Sequence, residues 1–487
     1  MRVTRRQFMA GTAATLLATH AVAAARGRKA RLPNFLVLLT DDQRWNAMGC
    51  MGNPIIQTPN MDRLAAEGIV FDNHFCTTSI CMSSRASIFT GMYARTHRIV
   101  DFSLPLPETR LSQSYPLMLR AAGYRTGFVG KWGLGGDLPT DRFDFFEGFS
   151  GQGKYFQERD GEPIHLTSIM GDNAIAFLKG CTADQPFCLS VSFKAPHVQD
   201  GDPRQYLYDP KLEDLYKDVT FPPPENASPE FFERQPEFVR NSEGRRRWET
   251  RFPNEAKYQE SVKGYYRLVT GVDIALGRIL DALRKLGLDD NTVILFTSDN
   301  GLFLGARGLA GKWLMYEESI RLPLIIRDPR LREPLRGTRC DEMTLTVDLA
   351  PTVLHLANVE RPMGMQGRSL TPLLRGKKPS WRTEWFYEHE YGHGGKIPRS
   401  EGIRTKTWKY IRYVDRDPAV EELYDLEHDP HESNNLTGQT DYLPRLEEMR
   451  QRWHIWRGRF NAFDPDGNRR WTDPEADCGC TKGGAHP

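Results

Sequence analysis

Two short, continuously apolar segments constrain the fold more than any other feature of this 487-residue sequence. Residues 34–40 have the sequence NFLVLLT, and residues 292–298 have the sequence TVILFTS. An unbroken apolar run of this length is typical of a strand that is buried on both faces of a parallel sheet. The chain is therefore expected to contain a parallel sheet with covering layers on both sides.

Strand and helix patterns alternate around these two segments. Helices are predicted at residues 59–67, 169–179 and 260–286, and further strands at 126–130, 187–193 and 322–326. This alternation predicts the α/β class, with a large mixed, mostly parallel sheet flanked by helices. Residues 197–253 are polar and rich in proline and charge, so we expect a long surface excursion there.

Shorter elements follow residue 370. They are two predicted strands, 384–388 and 408–413, and a predicted helix, 443–460. Short strands followed by a helix predict a smaller C-terminal α+β subdomain. The predicted signal peptide, main domain, C-terminal subdomain and polar tail are residues 1–25, 32–370, 371–461 and 462–487.

The overall charge argues against a nucleic-acid partner. Lys and Arg number 65 against 63 Asp and Glu, for a formal net charge of +2. Nucleic-acid binding needs a basic patch or stripe, and no basic run interrupts the body of this chain. We therefore expect no nucleic-acid partner.

The first 25 residues predict an export signal. Arg5 and Arg6 lie in the string TRRQFM, and the apolar run that follows ends in small residues. That run is too short to span a bilayer, and no other long apolar segment occurs, so no membrane span is expected. The string resembles the twin-arginine signal, and an ordinary Sec signal is the alternative. Either route predicts a periplasmic or secreted protein.

Eight cysteines leave the disulfide pattern open, and they lack the paired spacing of a zinc site. In an exported protein Cys181 and Cys188 could form a local disulfide or stay free. Cys478 and Cys480 lie in the polar tail. A redox, metal or pairing element and a disordered terminus are the alternatives there.

Polar residues follow both apolar strands. Asp41 and Asp42 come after the first strand, and Asp299 and Asn300 come after the second. The carboxyl ends of parallel strands line one edge of a sheet, so the two pairs can meet in space. A single Asp in such a place is usually a helix cap or a turn former, but two pairs favour a metal site. Oxygen ligands without histidine suit Ca²⁺ or Mg²⁺ rather than zinc.

A lone thiol stands at the start of a predicted helix in the stretch TTSICMSSRASIFTG. Cys81 begins the helical pattern, Arg85 follows four residues later, and Thr90-Gly91 ends it. Helix N-termini favour bound anions, and a residue at i+4 lies on the same face. A thiol is a poor ligand for a hard cation, and no sequence neighbour is an obvious base for a cysteine nucleophile.

These residues resemble the signature of the type I, formylglycine-dependent sulfatases of the alkaline phosphatase superfamily, whose motif is Cys-x-Pro/Ala-x-Arg. The resemblance extends over about residues 32–436, with the family's segments in order. The matching strings are TDD, CMSSR, GFVGKW with Lys131, FKAPH with His197, TSDNG with Asp299 and Asn300, and GKWLMYEESIRLPLII with Lys312. The strings EGIRTKTWKYIRY and EELYDLEHDPHESNNL are similar to the family's closing hairpin.

The resemblance implies hydrolysis of sulfate esters, with a sulfated small molecule or saccharide as substrate. It implies that a formylglycine-generating enzyme oxidises Cys81 to formylglycine, whose hydrate attacks sulfur. The implied ligands of one Ca²⁺ per chain, with Mg²⁺ as the alternative, are Asp41, Asp42, residue 81, Asp299 and Asn300. Arg85 and Lys131 are expected to bind the sulfate oxygens, and Lys312 and His197 to stabilise or protonate the leaving group.

Two positions depart from the family's pattern. Ser83 stands where Pro or Ala is usual, and Gly133 replaces the histidine of the usual Gly-Lys-Trp-His. Another histidine takes that role, or the site works without one; the candidates are His74, His97 and His165. Two alternatives to a sulfatase stay open: a phosphodiesterase or phosphonate monoester hydrolase of the same superfamily, and a non-catalytic sulfate-ester-binding relative.

Substrate selection is expected to involve a glycine-rich loop in the predicted subdomain. The string YEHEYGHGGKIPRS contains His389, His393 and Arg399. Glycine-rich loops with several polar side chains commonly form the walls of binding sites. We therefore expect these three side chains to contact the organic part of the substrate.

Overall fold

A computed structural model describes residues 31–463 and residue 471. The predicted signal peptide, Cys478, Cys480 and nearly all of the predicted tail lie outside these described residues. Within them the fold has the predicted class: a large mixed, mostly parallel sheet flanked by helices, followed by a smaller sheet near the C-terminus.

Seventeen strands are found among the described residues. In chain order they are β1 Asn34–Asp41, β2 Ile69–Phe71, β3 His74–Phe75, β4 Arg125–Lys131, β5 Phe145–Phe149, β6 Phe156–Arg159, β7 Glu162–His165, β8 Phe187–Pro196, β9 Thr292–Ser298, β10 Arg321–Leu322, β11 Leu324–Arg327, β12 Thr338–Cys340, β13 Thr344–Leu345, β14 Glu384–His389, β15 Ser400–Thr405, β16 Trp408–Tyr413 and β17 Val420–Asp425.

Fourteen α-helices are found in the same part of the chain. They are α1 Pro59–Glu67, α2 Cys81–Thr90, α3 Ala94–His97, α4 Glu108–Leu111, α5 Tyr115–Ala121, α6 Leu166–Lys179, α7 Pro229–Glu233, α8 Glu237–Arg240, α9 Glu243–Arg251, α10 Glu255–Lys285, α11 Glu317–Ile320, α12 Leu349–Leu356, α13 Thr371–Leu374 and α14 Leu443–Ala462. Three of the short helices, α7, α8 and α9, lie in the predicted surface excursion.

The central sheet has eight strands in the order β12-β2-β11-β9-β1-β8-β4-β5. Strand β1 pairs in parallel with both β8 and β9, and β4 pairs in parallel with β8 and β5. Only β11 runs antiparallel to its neighbours in this sheet. The two apolar segments are therefore adjacent central strands, as their composition predicted.

Strand β1 shows why an unbroken apolar run is needed here. Leu36 and Leu38 pack into the core layer that contains helices α1, α6 and α10, whereas Phe35 and Val37 pack into the opposite layer with α2, α5 and α12. Successive side chains of a strand point to opposite faces, so both faces of β1 need apolar residues. Helices therefore cover both sides of the sheet.

A second sheet, of four antiparallel strands, follows in the order β14-β15-β16-β17. Helix α14 packs beside it, and Trp385, Tyr410 and Trp456 belong to its core. These elements lie within the predicted C-terminal subdomain. The same core includes Phe75 and Tyr316 of the main domain, so the smaller sheet is packed firmly against the larger unit.

The six cysteines in the described part of the chain are free, including Cys181 and Cys188, so the local disulfide that the sequence left open is not formed.

Among residues 31–463, no helix combines the length and apolar character that a membrane crossing requires.

Candidate active site

Three acids and an amide meet at the carboxyl edge of the central sheet. Strand β1 ends at Asp41, and β9 ends at Ser298 beside it. The backbone N–H of Asp42 donates to Oδ1 of Asp299 over 3.3 Å, and the Asn300 amide donates to Oδ1 of Asp42 over 2.5 Å. All the side chains of the two predicted pairs are buried. The structure thus brings both pairs to one place.

Cys81 lies against this cluster at the beginning of a buried helix. Helix α2 begins at Cys81 and ends at Thr90, where Gly91 adopts a left-handed φ of 66°. Ile80, which precedes the helix, provides no side-chain cap. The Cys81 thiol donates to Oδ1 of Asp41 over 3.3 Å. The helix therefore directs its N-terminal end, which favours negative charge, at the acids.

Arg85, one turn along the helix, donates hydrogen bonds to four protein groups. Its Nε donates to Oδ2 of Asp299 over 2.9 Å, and its Nη2 donates to Oδ2 of Asp41 over 3.3 Å. Its Nη1 donates to the carbonyl oxygen of Lys131 over 2.9 Å and also to the hydroxyl of Ser192. The side chain is 0% exposed. Arg85 therefore holds two of the acids in place from inside the protein.

Two lysines place ammonium groups beside the cluster. Lys131 ends strand β4, and its Nζ donates to Oδ2 of Asp41 and, over 2.7 Å, to Oε1 of Gln152. Lys312 comes from a loop, and its Nζ contacts Oδ1 of Asp42 and lies 3.1 Å from Sγ of Cys81. Both side chains are at most 5% exposed. Both of the lysines that the sequence singled out therefore lie near Cys81.

His197 follows the last residue of strand β8 and faces Asp42. Its Nδ1 lies 2.8 Å from the carbonyl oxygen of Val198, and its Nε2 lies 3.7 Å from Oδ2 of Asp42. A carbonyl can only accept, so Nδ1 carries the hydrogen and Nε2 is left as an acceptor. Burial lowers the pKa of His197 well below its usual value, which favours this neutral form.

Burial controls the protonation of the other groups in the cluster. It raises the pKa of the Cys81 thiol to about 12, with a further contribution from Asp41. Burial and then Asp41 raise the pKa of Asp299 to about 6. For Asp41, burial alone would raise the pKa, but Lys131 and other nearby cationic groups outweigh it and hold the pKa well below its usual range.

The donor set fits a hard divalent cation. Oδ1 of Asn300 is buried and has no hydrogen-bond partner among the described residues, as expected of an atom that awaits a cation. Ligand atoms of Asp41, Asp42, Cys81 and His197 lie within 4.8 Å of one another. Carboxylate and amide oxygens predominate in the whole cluster, and these are the ligands that Ca²⁺ and Mg²⁺ prefer.

The structure leaves no room for a histidine side chain at Gly133. Its φ is +70°, and a Cβ at this position would lie 2.8 Å from Cδ of Arg85. None of the three candidate replacement histidines supplies the missing contact through a recorded hydrogen bond. His74 contacts the Thr344 hydroxyl, His97 contacts the Ser87 hydroxyl, and His165 contacts the Leu207 carbonyl oxygen.

The predicted substrate residues divide between the core and a cavity. His389 is 0% exposed, and its Nε2 lies 3.0 Å from the Tyr391 carbonyl oxygen, so the expected wall position is wrong for this residue. It ends strand β14, whose side chains are all buried. His393 and Arg399 line an open cavity of about 700 Å³, and their contact with substrate stays a prediction.

Sequence reasoning missed two polar residues near the cluster. Gln152 lines, with Cys81 and Lys131, a cavity of about 140 Å³ that leads to the cluster. Lys194 is 1% exposed, and its Nζ donates to the Val198 carbonyl oxygen over 3.1 Å. Burial, and then the charge of Lys131, lower its pKa to about 8. In the sequence, Lys194 could have been noticed as a lysine inside an otherwise apolar strand. No sequence feature indicated Gln152.

The chain is similar to known proteins along most of its length. Residues 33–359 match the family model described as Sulfatase, and residues 305–457 match the one described as N-sulphoglucosamine sulphohydrolase, C-terminal. The N-acetylglucosamine-6-O-sulfatase of Bacteroides thetaiotaomicron is 32% identical, with 89% of this chain and 88% of the relative covered. An ulvan-active sulfatase of Formosa agariphila is 29% identical, with 86% and 79% covered.

A solved structure is similar over nearly the same extent. It is BT4656 in complex with its substrate D-glucosamine-2-N,6-O-disulfate, with a TM-score of 0.76 and 31% sequence identity. The match covers 90% of this chain and 100% of that one.

Proposed function

The chain belongs to the sulfatase family of sulfuric ester hydrolases, and from that membership we propose that it removes sulfate from a sulfated saccharide, with formylglycine at position 81 and one bound Ca²⁺. The observation that carries the proposal is the position of Cys81. Its sulfur lies 3.3 Å from a carboxylate oxygen of Asp41 and 3.1 Å from the ammonium of Lys312. A thiol with a pKa of about 12 is protonated at neutral pH and is a poor nucleophile.

Oxidation of this residue resolves the mismatch between the thiol and its surroundings. Once formed and hydrated, formylglycine supplies a hydroxyl nucleophile in place of the thiol. A formylglycine-generating enzyme is the maturation partner that this proposal requires. Residue 81 is buried in the folded chain, so we expect conversion before folding is complete.

We assign the metal to Asp41, Asp42, Asp299 and Asn300 together with the oxygen at position 81. The four protein side chains are hard oxygen donors, and the unpartnered Oδ1 of Asn300 is the atom that most needs a cation. When bound, the ion supplies Lewis-acid charge beside the nucleophile and the sulfo group. Mg²⁺ is the alternative ion.

The two lysines carry the positive charge that faces the substrate. Lys131 lines the cavity that contains Cys81, and Lys312 lies 3.1 Å from its sulfur on another side. A sulfo group delivered to residue 81 therefore meets an ammonium from each. Preorganised cations stabilise the charge that develops on oxygen as the S–O bond breaks. Asp42 keeps Lys312 protonated by raising its pKa, despite its burial.

Arg85 takes a different role from the one expected from the sequence alone. Because its guanidinium is occupied by Asp299, Asp41 and backbone and hydroxyl oxygens, we assign it as a positioning residue. It holds the metal carboxylates on the helix that carries residue 81. Direct contact with the sulfo group is left to the lysines.

His197 is placed to accept a hydrogen bond at Nε2, because Nδ1 donates to the Val198 carbonyl. In this neutral form it can receive a proton but cannot donate one from Nε2. Protonation of the leaving oxygen is therefore assigned to Lys312, and His197 to holding a hydroxyl or water by accepting from it.

The saccharide substrate is proposed from the relatives. Two of them carry names that specify 6-O-sulfated glucosamine units, and a third acts on ulvan. A 6-O-sulfated glucosamine or N-acetylglucosamine unit is therefore the first substrate to test. We also propose export, by the twin-arginine route or by Sec, from the sequence of residues 1–25.

The test combines mass analysis with a sulfate-release assay on the purified full-length chain. The peptide that contains residue 81 should be lighter by about 18 Da than its cysteine form, from the stoichiometry of oxidation to the aldehyde. Sulfate should be released from 6-O-sulfated N-acetylglucosamine, and Cys81→Ala should abolish release. Cys340→Ala, at a half-buried cysteine outside the site, is the matched control and should retain activity.

Three outcomes would contradict parts of the proposal. Full activity from protein that carries an unmodified cysteine at position 81 would refute the proposed role of formylglycine. Faster hydrolysis of a phosphonate monoester or phosphodiester than of every sulfate ester tested would favour the phosphonate and phosphodiester alternative. Elemental analysis that finds two zinc ions per chain, and no calcium or magnesium, would overturn the metal assignment.

A further inference from the structure

We propose that the 700 Å³ cavity beside the catalytic cavity is a subsite for a second sugar unit, so that the preferred substrate is a sulfated oligosaccharide rather than a single sulfated sugar. The inference rests on the proposed function, since it concerns the organic part of the same substrate. It assigns a role to Phe102 and Tyr391, two aromatic residues that were not among the predicted substrate residues.

The two cavities share a wall. Phe102 lines the catalytic cavity together with Cys81, and its neighbour Asp101 lines the larger cavity together with Tyr391. The rings of Phe102 and Tyr391 meet edge to face, with centroids 5.3 Å apart. A ligand in the catalytic cavity therefore lies beside this aromatic pair, and a longer one can extend past the pair into the larger cavity.

The sizes of the cavities assign one part of a substrate to each. The catalytic cavity holds about 140 Å³, which suits a sulfo group and the atoms attached to it but leaves little room for a chain of sugars. The larger cavity holds about 700 Å³, within the range of about 300–1,000 Å³ found for ligand sites. Any unit linked to the sulfated sugar is thus directed into the second space.

The lining has the chemistry of a sugar site. Phe102 is 45% exposed, and exposed aromatic faces pack against the apolar face of a sugar ring. The lining of the larger cavity also includes the carboxylates of Glu390 and Asp415 and the guanidinium groups of Arg399 and Arg416. A sugar hydroxyl both donates and accepts, so it needs such a mixture of acceptors and donors.

Two charged side chains of this lining pair with each other. Nε of Arg416 lies 3.7 Å from Oδ1 of Asp415 in an ion pair, and the two side chains are 32% and 16% exposed. The exposed parts of this pair can donate to, and accept from, a sugar hydroxyl. The Arg399 side chain is exposed at the rim, with no carboxylate within 4.0 Å among the described residues. It can pair with an acidic group on the second sugar.

The experiment compares three substrates on the mature enzyme. They are a small aryl sulfate, a 6-O-sulfated N-acetylglucosamine, and an oligosaccharide that ends in the same sulfated unit. Wild-type enzyme should have the highest kcat/KM on the oligosaccharide. Tyr391→Ala should lower that value by about tenfold or more, as for loss of an aromatic anchor, and lower the aryl sulfate value by less than about threefold.

Matched variants separate the ring from general effects of mutation. Tyr391→Phe keeps the ring and should keep most of the oligosaccharide preference. Arg399→Gln should reduce the preference only for oligosaccharides with an acidic second unit. Ile455→Ala, which truncates an exposed apolar side chain on helix α14, should change none of the three values.

The outcomes distinguish this subsite from the proposed function. If wild-type enzyme hydrolyses no sulfate ester, the proposed function fails. If it hydrolyses the oligosaccharide no faster than the single sugar, or if Tyr391→Ala lowers all three values equally, only the subsite is refuted. Calorimetric titration of Cys81→Ala with each saccharide gives a second readout, in which the oligosaccharide should bind more tightly.

Discussion

Substituting Gly133 tests whether this position is a lost catalytic histidine or a close-packing requirement. A Cβ there would lie 2.8 Å from Cδ of Arg85, whereas carbon atoms in contact prefer about 3.5 Å or more. Arg85 would have to move by about 0.7 Å, which stretches its 2.9 Å bond to Asp299 beyond hydrogen-bond length. Losing a hydrogen bond between charged groups costs about 1.5–3 kcal/mol.

The backbone adds a second cost. A non-glycine residue at a φ of +70° costs about 1–2 kcal/mol. Gly133→Ala should therefore reduce the free energy of unfolding by about 2.5–5 kcal/mol. Displacement of Arg85 also moves Asp41 and Asp299, two of the proposed metal ligands, so kcat should fall by about 10²-fold. Gly133→His should lower the free energy of unfolding and kcat at least as much as Gly133→Ala.

Gly287→Ala is the matched control for this experiment. Gly287 has a φ of +66°, and a Cβ there meets nothing within 4 Å. It carries the backbone cost without the clash, and it lies outside the site. Denaturant unfolding and kcat on an aryl sulfate would be measured for both variants. The reasoning is refuted if Gly133→Ala matches Gly287→Ala in stability and activity, or if Gly133→His is more active than wild type.

Three further predictions concern the metal, the catalytic cavity and acid stability. Asp299→Ala should remove the divalent ion, measured by elemental analysis, together with nearly all activity; an unchanged metal content would contradict the ligand assignment. Gln152→Ala removes the 2.7 Å contact that orients Lys131, so kcat should fall by about tenfold with little change in stability, and an unchanged kcat would argue against an orienting role. Burial lowers the pKa of His74 and of His97 to about 3, so the stability that their neutral forms provide is complete above pH 6.5 and is lost as pH falls. Each of these two histidines should therefore lower the free energy of unfolding by about 2 kcal/mol at pH 5 relative to pH 7. Unfolding measured at a series of pH values tests this, and a free energy of unfolding that does not change between pH 7 and pH 5 would refute it.

Local patterns in the sequence were sufficient for the main elements of the fold. The helix Pro59–Glu67 and the strands Thr292–Ser298 and Trp408–Tyr413 have the predicted bounds, and the other predicted elements are present with ends shifted by a few residues. Apolar runs, helical periodicity and the Thr90-Gly91 helix end depend on neighbours in the chain, so they are visible without the fold. The strands Arg321–Leu322 and Leu324–Arg327, predicted as one, are separated at Pro323.

The identity of the site residues could also be proposed from the sequence, but their partners could not. That Asp42 and Asp299 meet follows from the rule that parallel strands end at one edge. That Arg85 donates to Asp41, to Ser192 and to the Lys131 carbonyl follows only from the tertiary structure, because these partners come from separate strands.

The sequence by itself determined the fold class, the acid pairs at the strand ends and the cysteine at the start of a helix. Each of these depends on residues close together in the chain. The tertiary structure alone decided that Gly133 has no room for a side chain, that His389 is buried, and that Phe102 meets Tyr391. The physical reason is that these features depend on the packing of segments far apart in the chain, where side-chain directions and distances of a few ångströms are set by the whole fold.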